Sequence, residues 1–303
     1  MTGQHSADAL LPPAMARRAE DIGVAKASME AGRLLALAIL AGAFIAFGAI
    51  FATVAVAGAA GAPWGMTRVM AGVVFSVGLV LVVVGGAELF TGNNLVVMAW
   101  AGGKIGTRAL LRSWAVVYVG NFVGALAAAS AAVVARLHHG GDGAFGTAAL
   151  GIAAVKLGSG FAQAIMLGVL CNVLVCLAVW LSYSARSTTD RVLVVVPPVA
   201  AFVAAGFEHS VANMYFVPFA LLVAMLDPAF IASRSLEAQA HGLTWAGFFL
   251  RNLLPVTLGN VIGGSGLVGG VYWFVYLRPR ANRLTASQPT SPSSTTTAAA
   301  ITH

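Results

Sequence analysis

The chain contains six apolar stretches of membrane-spanning length, and two of them are interrupted by the same short polar sequence. The interruptions read GAELFTGNN from Gly86 and GFEHSVANM from Gly206. In both, a glutamate follows two residues after the glycine, and an asparagine follows five residues after the glutamate. Because polar side chains at bilayer depth are costly, such residues usually face a pore or a polar cavity. A matched pair of interrupted hydrophobic segments predicts a transport site built from broken helices.

The composition indicates an integral membrane protein. Hydrophobic residues occupy 59% of the 303 positions and charged residues only 9%, with a mean hydropathy of +0.88. A soluble domain of this size cannot bury so much apolar surface. The stretches have helical length, unlike the roughly ten-residue alternating segments of an outer-membrane barrel. The predicted spans are about 33–58, 67–100, 110–136, 156–182, 191–226 and 246–277, the second and fifth being the interrupted ones.

The basic residues are distributed unevenly between the two sides of the predicted bundle. Only Arg68, Arg136, Lys156, Arg234 and Arg251 fall on the poorer side, and the other 12 basic residues fall on the richer one. The positive-inside rule makes the richer side cytoplasmic, and an even number of spans then places both termini there. The net charge of +7 mostly reflects this topology, so it does not indicate a nucleic-acid-binding protein.

Three regions are predicted along the chain. Residues 1–32 have the composition of an amphipathic cytoplasmic helix near the membrane surface and lack the pattern of a signal peptide. Residues 33–278 form the six-helix channel domain, and residues 279–303, rich in Ser, Thr, Ala and Pro, form a disordered cytoplasmic tail. Cys171 and Cys176 are expected to be buried apolar thiols, and we predict neither a metal site nor a cofactor.

The two halves of the chain repeat the same order of features. Each half has an uninterrupted span, an interrupted span and a span with the pattern G-N-x-x-G, at Gly120–Gly124 and at Gly259–Gly263. Three spans per half start the second half on the opposite face of the membrane, so the repeat is predicted to be inverted. Glycines four residues apart let helices approach closely, and we interpret these glycines as packing positions.

The polar residues of the interruptions are the candidate functional groups. A helix that restarts inside the membrane presents free N–H groups and a positive dipole end, which favours a small anion. We predict Asn93 and Asn213 to be the N-caps of the restarts. For Glu88 and Glu208 we favour a structural role, accepting hydrogen bonds from the freed backbone N–H groups, over a position in the conduction path.

One histidine breaks the symmetry of the two interruptions. His209 occupies the position where the first interruption has Leu89. An imidazole inside a span is expected to be functional, because it donates a hydrogen bond when neutral and a proton when charged. Thr91 is a possible partner across the pore. Lys156, which is predicted to open the fourth span, is either an interfacial anchor that snorkels or an attractant for anions.

Four motifs together resemble the formate/nitrite transporter family: GAELFTGNN, LGVLCNVLVCLAVW, GFEHSVANM and NLLPVTLGNVIGG. The resemblance extends from about residue 10 to residue 276 and is strongest to the bacterial formate channels. It implies an aquaporin-like homopentamer in the cytoplasmic (inner) membrane, with one pore for formate in each chain. It also implies a pore histidine at His209, pore-lining polar residues at Thr91 and Asn172, and a vestibule lysine at Lys156. Two apolar constrictions are implied, one at Phe75, Leu79 and Phe202 and the other at Leu89, Phe90 and Val175.

Three other functions fit parts of the sequence. The loop reads Thr-Gly-Asn-Asn from Thr91, whereas formate channels typically have Ser and Thr after this Thr, so a channel for nitrite, hydrosulfide or weak-acid anions generally stays open. A neutral-solute aquaporin is less favoured because neither interruption contains Asn-Pro-Ala. An intramembrane serine protease would use Ser265 in Gly-Gly-Ser-Gly but needs a later histidine, and only His303 follows. We therefore expect a channel with no catalytic residue, in which formate passes an apolar ring with a hydrogen bond or proton from His209.

Overall fold

The computed structural model describes residues 9–278, and the regular structure within that range is helical. In chain order the helices are α1 (Pro12–Ser28), α2 (Ala31–Val56), α3 (Trp64–Gly85), α4 (Val97–Ala101), α5 (Thr107–Val134), α6 (Ala144–Gly158), α7 (Phe161–Ser184), α8 (Thr188–Ala205), α9 (Ser210–Leu226), α10 (Pro228–Ser233), α11 (Glu237–His241) and α12 (Trp245–Tyr276). Two 3-10 helices, Gly92–Val96 and Leu137–His139, precede α4 and α6. Helices α2, α3, α5, α7, α8 and α12 are long and apolar enough to cross a membrane. The chain is therefore a multi-pass helical membrane protein. The predicted tail, 279–303, lies outside the described residues.

The second and fifth apolar stretches each contain two helices with an irregular segment between them. Helix α3 ends before Gly86, and the chain resumes in the 3-10 helix Gly92–Val96; α8 ends before Gly206, and α9 follows. Gly86 and Gly206 have φ angles of 80° and 78°. Because this left-handed conformation favours glycine and stops the α-helical ladder, both helices end at the same relative position.

The glycines of the two G-N-x-x-G patterns pack helix against helix, as predicted. A Cβ at Gly124 in α5 would collide with the main-chain oxygen of Ile39 in α2, and a Cβ at Gly263 in α12 would collide with that of Val169 in α7. Only a residue without a side chain allows these backbones to approach so closely. Helix α12 also contains two π-helical segments, Phe248–Leu253 and Ile262–Gly270.

Helix α1 packs against helices α4, α5 and α7. Its small and apolar face is buried, and a Cβ at Gly23 would lie 3.0 Å from the Cβ of Ala99 in α4. The guanidinium of Arg18 donates a hydrogen bond to the main-chain oxygen of Tyr183 at the end of α7 (3.3 Å). The amphipathic composition predicts a helix near the membrane surface, whereas the structure buries its apolar face against protein.

Candidate functional site

A buried asparagine braces the first interruption. The side-chain amide of Asn121 in α5 donates to the main-chain oxygens of Ala38 (2.7 Å) and Glu88 (2.9 Å), and its Oδ1 accepts from the N–H of Phe90 (2.8 Å). Asn121 is fully buried. Ending α3 inside the protein frees backbone groups that lipid cannot satisfy, and this one side chain satisfies two of them while tying the segment to α2.

Asn260 makes the same three contacts in the second half. Its amide donates to the main-chain oxygens of Gly168 (2.8 Å) and Glu208 (3.0 Å), and its Oδ1 accepts from the N–H of Ser210 (2.9 Å). The N–H groups at the start of α9 are thus largely occupied, since that of Ala212 is bonded to His209. The sequence analysis predicted free N–H groups at this restart, and that prediction is wrong for Ser210 and Ala212.

Each glutamate of the interruptions is paired with a lysine from a preceding helix. The Glu88 carboxylate lies 2.9 Å from Nζ of Lys26 in α1, and the Glu208 carboxylate lies 2.9 Å from Nζ of Lys156 in α6. Both carboxylates are about 7% exposed. The prediction that the two glutamates accept hydrogen bonds from backbone N–H groups is therefore wrong. Asn121 and Asn260 bond to part of the interrupted backbone, and the carboxylates pair with lysines instead.

Asn93 and Asn213 bond to these same carboxylates. The Asn93 amide donates to Glu88 (2.7 Å), and the Asn213 amide donates to Glu208 (2.6 Å). Neither asparagine is an N-cap, so that prediction is wrong. Asn213 lies one turn inside α9, where its own N–H is already bonded to the main-chain oxygen of His209 (3.0 Å).

His209 is itself the N-cap of α9. Its Nδ1 accepts a hydrogen bond from the N–H of Ala212 (3.0 Å), and its Nε2 lies 2.9 Å from Oγ1 of Thr91. Because Nδ1 must carry a lone pair to accept, the ring proton resides on Nε2 and the imidazole is neutral. The ring is 3% exposed and stacks on Phe202 with a centroid distance of 5.8 Å. His209 thus directs its single N–H towards the first interruption.

Thr91 and Asn172 are in contact in the buried interior of the protein. Both are fully buried, and the main-chain oxygen of Thr91 accepts from the Asn172 amide (3.3 Å) and from the thiol of Cys176 (3.3 Å). The Asn172 amide also donates to the main-chain oxygen of Asn260 (2.7 Å). The structure therefore brings His209, Thr91 and Asn172 together from three separate helical regions.

A cavity of about 460 Å³, the Lys156 cavity, opens on one side of His209. Its lining includes Lys156, Glu208, Arg68 and the rings of Phe75 and Phe202, which meet edge to face with centroids 5.8 Å apart. Lys156 belongs to α6 and not to the fourth span, so its predicted position is wrong. Its side chain is 12% exposed and faces Glu208, which does not fit an anchor that snorkels to the interface.

A second cavity of about 240 Å³, the Lys26 cavity, lies beside the first interruption. Its lining includes Lys26, Glu88, Arg18 and Arg191 together with the apolar residues Leu79 and Leu89. Phe75 lines the first cavity and Leu79 the second, and they are four residues apart on α3. One helical turn rises about 5.4 Å, so the two cavities approach each other closely along this helix.

The remaining residues of the expected constrictions are buried away from the lining of both cavities. The ring of Phe90 packs against Trp114 (6.3 Å between centroids) and Tyr118 (4.9 Å). Val175 is 1% exposed and belongs to the apolar core. Leu79 shares a cavity with Leu89, although the resemblance grouped Leu79 with Phe75.

The sequence analysis did not identify three residues of this site as functional: Asn121, Asn260 and Lys26. Asn121 and Asn260 belong to the repeated pattern, in which only the glycines were interpreted, and Lys26 was counted only as a topology charge. The usable signal is the repeat itself: Lys26 and Lys156 each precede an uninterrupted span by a few residues. A search for polar residues shared by both halves would have found all three.

Comparisons with known proteins identify a family of membrane transporters. The sequence matches the family described as "Formate/nitrite transporter" over residues 13–274. It is 43% identical over 280 residues to the formate channel FocA of Escherichia coli (strain K12), covering 92% of this chain and 98% of the relative. It is 39% identical over 266 residues to the formate channel FocA of Haemophilus influenzae, covering 87% of this chain and 94% of the relative.

Two solved structures have a similar fold. A pentameric formate channel with formate bound superposes with a TM-score of 0.77 at 43% identity, covering 82% of this chain and 98% of that one. An FNT family ion channel superposes with a TM-score of 0.72 at 25% identity, covering 86% and 98%. These proteins are channels or transporters and not enzymes. Ser265, the candidate protease nucleophile, donates to both oxygens of Asn94 (3.1 Å each) and has a structural role.

Proposed function

The chain belongs to the formate/nitrite transporter family, and we propose that it conducts formate through a pore in each chain. The observation that carries this proposal is the 2.9 Å contact between Nε2 of His209 and Oγ1 of Thr91. These two polar groups come from the two interruptions: His209 lines the Lys156 cavity, and Thr91 lies in the chain between Leu89 and Gly92, which line the Lys26 cavity. The proposed pathway therefore runs from one cavity to the other past His209 and Thr91, with Asn172 beside them.

The charge of the two cavities supports a small anion as the solute. The Lys26 cavity is lined by Lys26, Arg18 and Arg191 against the single carboxylate of Glu88. The Lys156 cavity is lined by two basic residues against one carboxylate. An excess of positive charge in a narrow, partly apolar cavity raises the local concentration of anions. In this proposal the two lysines attract the anion, a role that the sequence analysis assigned to free helix N–H groups.

We assign the barrier to the apolar side chains between the cavities. Phe75 and Phe202 form the side of this barrier that faces the Lys156 cavity, and Leu79 and Leu89 form the side that faces the Lys26 cavity. Phe90 and Val175 back these residues from the core. An unpaired carboxylate is costly to move through such a region and tends to be neutralised by a proton instead.

His209 acts on the anion as a hydrogen-bond donor in this proposal. Because its Nδ1 is occupied by the Ala212 N–H, the neutral ring offers one N–H, on Nε2. That N–H can turn from Thr91 to a carboxylate oxygen, which lowers the cost of the negative charge at the barrier. Of hydrogen-bond donation and proton donation, the two roles considered for His209, the geometry supports the first. Protons then come from the aqueous side, so uptake increases as the pH falls.

The two sets of matched contacts support an inverted three-plus-three repeat. In each half a lysine and an asparagine bond to the glutamate of the interruption, and a second asparagine braces its backbone. We further propose that the chain assembles as a homopentamer in the bacterial cytoplasmic membrane with both termini inside. The exposed apolar side chains of the spans, such as Phe51, Leu170 and Phe274, then face lipid or neighbouring chains.

The proposal is tested by measuring the flux of labelled formate into liposomes that contain the purified protein. Flux is compared at about pH 5.5 and about pH 7.5, because the protonation of histidine and the supply of protons to weak acids change over this range. The matched variants are His209→Asn and His241→Asn. Asparagine at 209 still accepts from the Ala212 N–H, since it is a good N-cap, but is too short to reach Thr91. We expect H209N to lose most formate flux while remaining folded, and H241N, at an exposed position, to behave as wild type.

Unchanged formate flux in H209N would refute the assigned role of His209. Competition between labelled formate and unlabelled nitrite, acetate, lactate or hydrosulfide distinguishes a formate channel from a nitrite channel or a broad weak-acid channel. We expect formate to compete best, and stronger competition by nitrite would reassign the substrate. Light scattering of the detergent-solubilised protein is expected to give five chains of 30.8 kDa each per particle.

A further inference from the structure

A second polar cluster lies away from the proposed pathway, where α5 and α9 end. His138 and His139 belong to the short 3-10 helix after α5, and Asp227 connects α9 to α10. The Nε2 atoms of the two histidines lie 3.1 Å and 3.0 Å from the same carboxylate oxygen, Oδ2 of Asp227. His138 is 2% exposed, so part of this cluster is buried.

In the observed arrangement, hydrogen bonds alone do not satisfy every member of this cluster. The guanidinium of Arg136 lies 3.1 Å from Nε2 of His139, the same atom that lies 3.0 Å from the Asp227 carboxylate. A guanidinium only donates, so it requires a lone pair on Nε2, whereas an ionised carboxylate only accepts and requires a hydrogen there. One ring nitrogen meets only one of these demands. A cation between the carboxylate and the two imidazoles satisfies these three ligand atoms, because each presents a lone pair to it, and the exposed guanidinium of Arg136 then turns to solvent.

We propose that His138, His139 and Asp227 bind a divalent transition-metal ion, with Zn²⁺ as the best match. Two imidazole nitrogens and one carboxylate oxygen form a ligand set that zinc uses, with a water completing four-coordination. Magnesium and calcium prefer sites made of oxygen alone. The three ligand atoms already lie within 4.8 Å of one another. Tetrahedral zinc with bonds of about 2.0–2.1 Å separates its ligands by about 3.3 Å, close to the two measured distances.

The surroundings of the cluster fit this assignment. The other carboxylate oxygen of Asp227, Oδ1, accepts from the N–H of Phe230 (3.0 Å), which leaves Oδ2 for the ion. The ring of Phe230 lies 5.2 Å from both imidazoles and covers them. Arg136 is exposed, so its guanidinium turns to solvent when the ion takes the lone pair of His139.

The site joins two parts of the chain that carry groups of the pathway. His138 and His139 precede α6, which carries Lys156, and Asp227 follows α9, which begins after His209. A bound ion therefore links the far ends of these two helices. The sequence analysis predicts no metal site, because the ligands come from positions 88 and 89 residues apart and only the fold brings them together.

Calorimetric titration of the untagged, full-length protein with Zn²⁺, after removal of metal with a chelator, tests the proposal. We expect one high-affinity Zn²⁺ per chain. His139→Gln removes one ligand at a position that is 40% exposed and is expected to weaken binding at least tenfold without unfolding the protein. His241→Gln, at an exposed histidine elsewhere, is the matched control and should bind as wild type. The double variant H5Q/H303Q removes the histidines nearest the two termini and should also bind as wild type.

The second measurement is the absorption spectrum of bound Co²⁺ in a variant with a cysteine ligand. His139→Cys replaces imidazole by thiolate, another preferred zinc ligand, so binding should be retained. With Co²⁺ as the probe, H139C should add a thiolate-to-cobalt absorption band that wild type lacks. Absence of Zn²⁺ binding, equal affinity in H139Q and wild type, or loss of binding in H5Q/H303Q would each overturn the assignment.

Discussion

Replacing Asn260 by leucine tests how the interruption before α9 is stabilised. Leucine has a similar size but makes no hydrogen bonds, so the variant loses all three contacts of the Asn260 side chain. Two backbone groups, the N–H of Ser210 and the C=O of Glu208, are then buried without their partner. The third group, the C=O of Gly168, lies inside α7 and keeps its helical hydrogen bond.

The expected loss of stability follows from these two groups. A buried donor or acceptor left without a partner costs roughly 1–3 kcal/mol. Two such groups give a decrease of about 2–6 kcal/mol in the free energy of unfolding for N260L, a large share of the roughly 5–15 kcal/mol of a typical protein. Because Asn121 makes the same three contacts in the other half, Asn121→Leu is expected to destabilise the protein by a similar amount.

Equilibrium unfolding in mixed micelles with increasing SDS measures both variants. Leu258→Met is the matched control, because Leu258 lies on the same helix and is 46% exposed. Replacing leucine by methionine also conserves side-chain volume. We expect L258M to unfold as wild type does. A decrease of less than about 0.5 kcal/mol in N260L, or an equal change in L258M, would refute the view that the asparagines satisfy the interrupted backbone.

Three further predictions concern other parts of the structure. Lys156→Met leaves the buried Glu208 without its cation and should cost about 3 kcal/mol or more, most of which K156M/E208Q recovers when unfolding is measured in the same micelles. Gly264→Ala introduces a Cβ that collides with neighbouring side chains and should cost about 1–3 kcal/mol, whereas Gly266→Ala, with open space around it, should cost much less; thermal unfolding compares the two. The N–H groups of the first turn of α2 lower the pKa of Glu30 below its usual value. Its stabilising contribution is therefore complete above that usual value and is lost as the pH falls through the lowered one. Glu30→Gln should flatten this acid dependence of the melting temperature, and an unchanged dependence would contradict the assignment.

The parts of the fold that depend on local composition were predictable. Apolar length predicts the six spans, and the polar phrases at Gly86 and Gly206 predict where two of them stop being helical. Glycine spacing predicts that α5 and α12 each pack closely against another helix, which the structure shows to be α2 for α5 and α7 for α12. Each of these features is determined within one or two helical turns of sequence, because hydropathy and backbone freedom are properties of neighbouring residues.

The partners of the polar residues were not predictable in the same way. The sequence placed Asn93 and Asn213 at helix caps and gave Glu88 and Glu208 backbone partners, and both assignments were wrong. A carboxylate accepts hydrogen bonds from a backbone N–H, a side-chain amide or an ammonium group, so its presence in the sequence does not identify its partner. The choice depends on which donor the fold brings within about 3 Å.

The sequence by itself thus determined a six-span membrane protein with two matched polar interruptions and one unmatched histidine at His209. Only the tertiary structure decided that Lys26 and Lys156 neutralise the two glutamates and that Asn121 and Asn260 satisfy the interrupted backbone. These contacts join residues that are 31 to 92 positions apart in the chain. Their formation depends on helix packing, because glycine spacing predicts which helix faces approach closely but not which polar groups of distant segments then meet.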